Sequence, residues 1–436
     1  VTRPGGAWQN WGRTERVRPR RVEYPPTVSA VQRSVRAAAA QGLTVKAVGA
    51  GHSFSGIAVA PGVLLELVDL SGIVSVDRER SRVRFLAGTR LHRIPSLLAP
   101  FGLAMQNLGD IDRQSIAGAV STGTHGTGAR FGGIATQVVG ATLVTGDGEL
   151  LTVDEENPEL LPAVALGLGA LGILVDVTIQ CVPAFVLSAV ERPEPLADVL
   201  AHLEERGEQA DHFEFYWFPH TDVALTKTNS RLPADAETRP LRRVSKWMDD
   251  VVVGNVVHQA ACSLERAVPS AIPAINRLST KVWGDRSFSD ASHRVFATTR
   301  GVRFREMEYA VPVERLADAF RGLQRVIDEH GWCIEFPVEV RVAAADDLWL
   351  STAHGRASGY IAVHRYWRAD PHEYFGAVEE VMLAHGGRPH WGKMHTQDAA
   401  SLRARYPRFD DFVAVRDHLD PQRRFRNPYL DRVLGE

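Results

Sequence analysis

Apolar and polar positions change period several times along the chain, and each change marks an element. Val28, Val31 and Val35 recur at the spacing of one helix face, after Pro25-Pro26-Thr27 and before Gly42, which stands where a glycine closes a helix. The period then shortens. Residues 44–48, 63–67, 73–76 and 83–86 read as strands, and 91–98 as a short helix. Residues 138–144 and 150–153 read as a hairpin around Gly146-Asp147-Gly148. A glycine-rich apolar run over 166–173, expected to be core, leads into a strand reaching Val182. Helix, strand and glycine turn in that order predict a mixed α+β unit, and Pro183 is a natural boundary.

Beyond it the texture becomes aromatic and strictly alternating, as in His212-Phe213-Glu214-Phe215-Tyr216-Trp217-Phe218. A polar, proline-bearing loop is expected over 231–243. Strands follow over 304–311, 332–342 and 360–366, and helices over 314–330 and 371–385. That layout predicts a sheet with helices over one face. The tail, 401–436, reads as two short helices with too little apolar pattern to stand alone, so it should pack back on the first unit. The expected division is 1–183, 184–396 and 397–436.

Composition narrows the class. At 436 residues with 44% hydrophobic and 23% charged side chains, the chain has the make-up of a globular protein with a sizeable core. A net charge of -2 points to neither nucleic acid nor an acidic membrane as partner. The longest apolar run, 163–175, is too short to span a bilayer. With no visible secretory signal, this favours a cytoplasmic protein, with peripheral membrane association as the alternative. Cys181, Cys262 and Cys333 are widely spaced, which fits a reducing compartment and no disulfide framework. Sixteen scattered histidines without an HExxH pattern give no metal site.

Candidate chemistry gathers in two glycine-rich stretches and three later elements. Gly49-Ala50-Gly51-His52-Ser53-Phe54-Ser55-Gly56 follows a strand, and its glycines allow a tight turn and close backbone approach to a ligand. On its own it could equally be an ordinary turn. Ser115-Ile116-Ala117-Gly118-Ala119-Val120-Ser121-Thr122-Gly123-Thr124-His125-Gly126-Thr127-Gly128 is dominated by small residues. It suits either close helix packing on a sheet or a surface under a flat ring. Together the two stretches suggest a large, polar, phosphate-bearing ligand. Glu339 and Arg341, two apart on a strand, share a face. They form either a structural ion pair or an oriented, ionised carboxylate. His364 and Tyr366 repeat that geometry, and His390-Trp391-Gly392-Lys393 offers a packing anchor or a further cation. Convergent Glu, Arg, His and Lys groups suit a hydroxyl-rich ligand.

Taken together, 49–54, 118–128 and 390–393 resemble the sugar-oxidising branch of the vanillyl-alcohol-oxidase-type (PCMH-type) flavoproteins, which includes aldonolactone oxidases and dehydrogenases and alditol oxidases. The resemblance runs from Trp11 to Gly435. Asn107-Leu108-Gly109-Asp110-Ile111-Asp112 and Phe304-Arg305-Glu306-Met307-Glu308-Tyr309-Ala310 bring it nearest to the actinobacterial L-gulono-1,4-lactone dehydrogenases. It implies an FAD-binding domain built from the N-terminal part and the tail, with a substrate-binding cap between.

By the same resemblance His52 carries FAD covalently through the flavin 8α-methyl. Ala47, Val48, Gly49, Ala50, Gly51, Ser53, Gly109, Asp110, Ser115, Gly118, Ala119, Val120, Ser121, Thr124, His125, Ile173 and His390 hold the cofactor. With no cysteine near the second stretch, a single link is expected. Glu339, Arg341, His364 and Lys393 match catalytic positions. Arg341 and Lys393 would stabilise negative charge on oxygen, Glu339 would position substrate, and His364 would accept the hydroxyl proton. The implied reaction is hydride transfer from a carbinol C–H of an aldonolactone of the L-gulono-1,4-lactone type to flavin N5. Dioxygen or another acceptor reoxidises the flavin. An alditol, oligosaccharide or nucleoside oxidase on the same scaffold is the alternative. In relatives a small residue at the Gly109 position opens a path for dioxygen, whereas the likeness to dehydrogenases points the other way. Asp110 replaces the serine of alditol-oxidising relatives, which disfavours a plain alditol.

Overall fold

The computed structural model describes residues 2–4, 6–241, 268–282, 284–298 and 302–436. Cys262 and the end of the expected loop at 231–243 lie outside the described residues.

Beside the two-stranded pair Trp8–Gln9 and Arg16–Val17, two larger sheets occupy the first part of the chain. In the smaller, Thr2–Pro4 and Arg21–Glu23 pair antiparallel, and Val63–Glu66 runs parallel to Arg21–Glu23 on one side and Val45–Val48 on the other. The helix Val28–Ala40, capped by the Thr27 side chain, lays Val31, Val35 and Ala38 against Val45, Val63 and Leu65. The second sheet runs in the order Leu150–Val153, Val138–Val144, Ile173–Pro183, Arg82–Leu86, Ile73–Asp77, with Leu103–Met105 pairing the far end of Ile173–Pro183. The second glycine stretch is in part a helix, Ile116–Thr122. Ser115 caps its start and Gly123, in the left-handed conformation, ends it. Ile116, Ala119 and Val120 face the core, and the loop proper begins at Thr124.

The eight strands of the third sheet all lie between Val186 and Pro389, in the order Arg286–Ala291, Val186–Pro195, Val223–Leu232, His212–Trp217, Val338–Ala343, Ser358–Tyr366, Phe304–Pro312, Arg388–Pro389. Alternation sorts its two faces. Phe213, Phe215, Trp217, Val338, Val340, Val342, Ile361, Val363, Met307, Tyr309 and Val311 join one core with the helices Leu316–His330 and His372–Ala384. Fully buried there, Phe320 alone contributes about 2–3 kcal/mol of apolar burial. The opposite face carries Glu214, Tyr216, Glu339, Arg341, His364, Glu306 and Glu308, and it is covered rather than solvated.

Two expectations are corrected here. The strand expected over 332–342 begins only at Val338. Pro337 has no N–H for the ladder, and the Glu335 carboxylate takes over one rung by accepting the Tyr366 N–H at 2.8 Å. The tail holds three helices, Ala399–Arg403, Phe409–Leu419 and Pro428–Leu434; Asn427 caps the third and Pro428 opens it. Their Leu402, Phe409, Phe412, Leu430 and Val433 pack into the core of the N-terminal part. No described helix is long and apolar enough to cross a membrane.

Candidate active site

Two clefts meet at His52. The first, about 1100 Å³ with its open mouth included, is walled by Ala47, Val48, Gly49, Ala50, Gly51, Ser53, Ser115, Gly118, Ser121 and Ile173. Lys46, Arg90, Gln114, Ala87 and Gly88 line it as well. The backbone here is cradled tightly. A Cβ at Gly49 would lie 2.5 Å from Ser115 Oγ, one at Gly88 would fall 1.7 Å from the Leu67 carbonyl, and Gly51 has φ +68°. Only glycine lets these walls come so close. Small and apolar sides with Arg90 among the lining suit a flat ring system joined to an anionic chain. Burial drives the Lys46 amine down to about 7 against the pull of Asp420, and it donates to the carbonyls of Gly169 (2.9 Å) and Phe425 (3.3 Å).

The second cleft, about 720 Å³, is lined by Trp11, Phe54, Gly109, Asp110, Thr124, His125, Phe304, Glu306, Glu308, Glu339, Arg341, His364, His390 and Lys393. His52, Ser53, Gln114 and Thr122 line both clefts, so one elongated ligand can run from the first into the second. Of the residues singled out in the sequence for cofactor or catalysis, Ala119 and Val120 reach neither cleft, and neither do Tyr366 and Trp391 beside the catalytic candidates; all four side chains are buried.

Strand register assembles the second cleft. Glu214 lies opposite Arg341 and Tyr216 opposite Glu339 on antiparallel neighbours. Arg341 therefore reaches Glu214 at 2.9 Å and closes on Glu339 through a second nitrogen. Tyr216 donates its hydroxyl to Glu339 at 3.1 Å, and Lys227 stands 3.5 Å from Glu214. Burial pushes the Glu214 carboxyl up, but Arg341 and Lys227 overcome it and hold the group ionised. Burial pushes the Arg341 guanidinium down, and Glu339 and Glu214 more than reverse this. One row away His364 lies opposite Glu306.

Lys393 and His390 come from a loop stitched to the His52 turn. Phe54 N–H donates to the Gly392 carbonyl at 2.7 Å, Ser55 Oγ to the Trp391 carbonyl at 2.7 Å, and Trp391 Nε1 to the Leu350 carbonyl at 2.7 Å. His52 is driven down to about 4 by burial and by the charges of Arg90, Lys393 and Arg113, so its imidazole is neutral at ordinary pH.

His125, Glu308 and His390 are three buried groups of metal-ligating type within 4.8 Å. Gly392 donates its N–H to His390 Nδ1 at 3.0 Å, which puts the ring hydrogen on Nε2. His125 donates Nδ1–H to the Gly126 carbonyl at 2.8 Å and turns Nε2 to Glu308 at 3.2 Å. Both ring nitrogens of His125 are thus engaged, one by the backbone and one by Glu308, and the Nδ1 of His390 by the backbone. Glu214, Tyr216, Glu306, Glu308, Lys46, Arg90 and Gln114 were not singled out in the sequence. For Glu306 and Glu308 a signal existed, since they are the polar beats of the alternation over 304–312.

A glycine-walled cleft opening into a chamber of paired acids and bases, on this α+β scaffold, defines an FAD-linked oxidoreductase. Residues 19–154 match the FAD binding domain model, and the donors and small residues of the first cleft fit that cofactor. Residues 177–433 match the D-arabinono-1,4-lactone oxidase model, and the chain belongs to that family. It is 42% identical over 431 residues to the L-gulono-1,4-lactone dehydrogenase of Mycobacterium tuberculosis, covering 98% of this chain and 99% of the relative. It is 33% identical over 442 residues to the L-gulonolactone oxidase of Scyliorhinus torazame, covering 99% and 98%. Among solved structures, cholesterol oxidase from Brevibacterium sterolicum shares the PCMH-type FAD fold, with a TM-score of 0.80 at 18% identity over 100% of this chain and 97% of that one.

Proposed function

We propose that the protein oxidises a hydroxyl of an aldonolactone of the L-gulono-1,4-lactone type. The observation that carries this reading is the junction at His52, where the glycine-walled cleft and the acid–base chamber become one space. Residues 1–183 and 397–436 form the FAD-binding part, and 184–396 form the cap that supplies the chamber's charged face. FAD, when bound, supplies the acceptor for the hydride that leaves the carbinol carbon.

The chain's own residues do the rest. His364 donates Nδ1–H to the Pro337 carbonyl at 3.1 Å, so Nε2 is the nitrogen that takes the hydroxyl proton as the C=O bond forms. Arg341 and Lys393 stabilise negative charge developing on that oxygen. Glu339, fixed by Arg341 and Tyr216, accepts from a neighbouring substrate hydroxyl. Residues 47–53, Ser115, Gly118, Ser121 and Ile173 cradle the cofactor, and Gly109, Asp110, Thr124, His125 and His390 border its reactive end. His52, neutral and placed where the clefts meet, is the attachment point for a covalent link through the flavin 8α-methyl. The separate, widely spaced cysteines favour a cytoplasmic setting.

The test is anaerobic bleaching of the bound flavin with a panel of lactones and polyols. L-Gulono-1,4-lactone or a close relative is expected to bleach it, and a flavin that no sugar-like compound reduces would sink the reading. Admitting air afterwards separates dioxygen from a carrier as the electron acceptor.

A further inference from the structure

We propose that Glu306 is a positioning residue for this reaction: its carboxylate fixes the Lys393 ammonium at the chamber and faces the nitrogen of His364 that takes up the substrate proton. The inference rests on the reading of His364 and Lys393 given above and adds to it the group through which both act.

Three independent features of one strand carry it. Antiparallel register sets Glu306 directly opposite His364, leaving Oε1 3.6 Å from Nε2. The same oxygen lies 2.5 Å from Lys393 Nζ. The strand's backbone also seats the loop that bears the lysine, because Met394 N–H donates to the Glu306 carbonyl and His390 N–H to the Glu308 carbonyl, each at 3.0 Å. Glu306 is 5% exposed, so its charge is not screened by bulk water. The charged and titratable groups facing it are Lys393 and His390 from the loop, His364 from the neighbouring strand, and Glu308 two residues along. Burial pushes its carboxyl up, yet Lys393 and His364 bring it down to about 2, so it remains an anion throughout the working range.

The consequence is specific. As the substrate O–H breaks, the N–H that forms on His364 places a positive charge beside this carboxylate. Removing the carboxylate disfavours protonated His364 and also leaves the Lys393 charge unopposed. Both changes move the proton-dependent rise of the reduction rate to lower pH. Removing Lys393 instead moves it to higher pH. A residue that merely stiffened the strand would give neither shift.

The experiment uses the full-length, FAD-loaded protein and anaerobic stopped-flow reduction by L-gulono-1,4-lactone across the pH range. Glu306→Gln, Lys393→Met, the double variant and His364→Asn are compared. Glu306→Gln is expected to slow reduction on the order of 10–100-fold, with FAD content retained and the pH profile displaced to the acid side. Lys393→Met should displace it to the alkaline side. Because the two act as one unit, the double variant should lose no more than the worse single variant. Independently of turnover, NMR with ring-labelled histidine, the signal assigned by its absence in His364→Asn, should show a lower His364 midpoint in Glu306→Gln.

If His364→Asn reduces at the parent rate, the active-site reading itself fails. If it is slow while Glu306→Gln keeps the parent pH profile and His364 midpoint, the role given to Glu306 fails and the reading survives. Should Glu306→Gln not fold, Glu306→Asp is the second arm. Retaining the charge, it is expected to keep the parent profile at a reduced rate, and an acid-side shift in it would overturn the proposal.

Discussion

Replacing Arg341 by methionine removes the cation shared by Glu214 and Glu339 while roughly keeping side-chain volume. Both carboxylates are about 6% exposed, so neither is relieved by solvent. Lys227, 3.5 Å from Glu214, partly compensates that partner. Glu339 keeps the neutral Tyr216 hydroxyl at 3.1 Å. Breaking a buried pair by deleting one member costs about 3–5 kcal/mol, which at about 2–4 °C per kcal/mol for a cooperative unit of about 200 residues lowers Tm by roughly 6–20 °C. The pH dependence gives the sharper test. In the parent, the Glu214 pKa is depressed by Arg341 and Lys227 against burial, so its contribution to stability is present above the unfolded pKa and is lost as pH falls through the folded value. In the variant, burial prevails and the carboxyl takes up a proton on folding, so stability rises as pH falls. The gap in Tm between the two proteins should therefore narrow on acidification. Differential scanning calorimetry of the FAD-loaded proteins at neutral and mildly acid pH measures it. A gap below about 2 °C, or one that does not change with pH, would refute the electrostatic account.

Three further outcomes are expected. Acid precipitation should leave the yellow colour with the protein, and His52→Ala should release it to the supernatant; free FAD from the parent protein would refute covalent attachment while leaving the family assignment intact. Gly49→Ala places a Cβ 2.5 Å from Ser115 Oγ, an overpacking cost of about 1–3 kcal/mol. It should lower the ratio of flavin to protein absorbance after purification, and an unchanged ratio would show that this contact does not shape the cleft. The chamber lining carries Asp110, Glu306, Glu308 and Glu339 against Arg341 and Lys393. Four carboxylates thus face two cations, and each negative charge in excess, at about 5 Å in an effective dielectric of about 20, repels an anion by about 3 kcal/mol, roughly a hundredfold in affinity. The hydrolysed, open-chain aldonate should therefore reduce the flavin far more slowly than its lactone, and equal rates from the two would contradict that charge balance.

The sequence carried much of the scaffold, because period and punctuation are local signals. Val28, Val31 and Val35 between Thr27 and Gly42 define a helix wherever it packs, and the glycines around His52 and Ser115 announce a tight backbone. Glu339, Arg341, His364 and Lys393 were also visible as chemistry. What could not be read was which residues oppose one another. Glu214 meets Arg341, and Glu306 meets His364, only through the register of strands far apart in the chain. The alternation of 304–312 shows one polar face, and period alone makes such a face solvent-exposed. Here another part of the chain covers it, and nothing local to the strand marks Glu306 and Glu308 as site residues. Likewise, the strand expected from Trp332 gives way before Pro337 because a side chain, Glu335, completes the rung there, which no propensity encodes.

The covered polar face bears on function in its own right. Burying Glu214, Glu306, Glu308, Glu339, Arg341 and His364 costs desolvation that pairing at best offsets, and well-packed apolar residues at such sites are often as stable or more so. The other face of the same strands shows that apolar packing was available: Val338, Val340, Val342 and Val363 form an ordinary core there. Stability therefore does not account for the charged face. Its groups fall into two sets. Arg341 ties together Glu214 and Glu339, which makes that set rigid and suited to holding a substrate. Lys393, Glu306 and His364 form a chain in which one carboxylate oxygen faces both the ammonium and the imidazole Nε2. On the function proposed for this site, a binding set and a proton-handling set side by side on one sheet are what removal of a hydride and a proton from neighbouring atoms of one substrate requires.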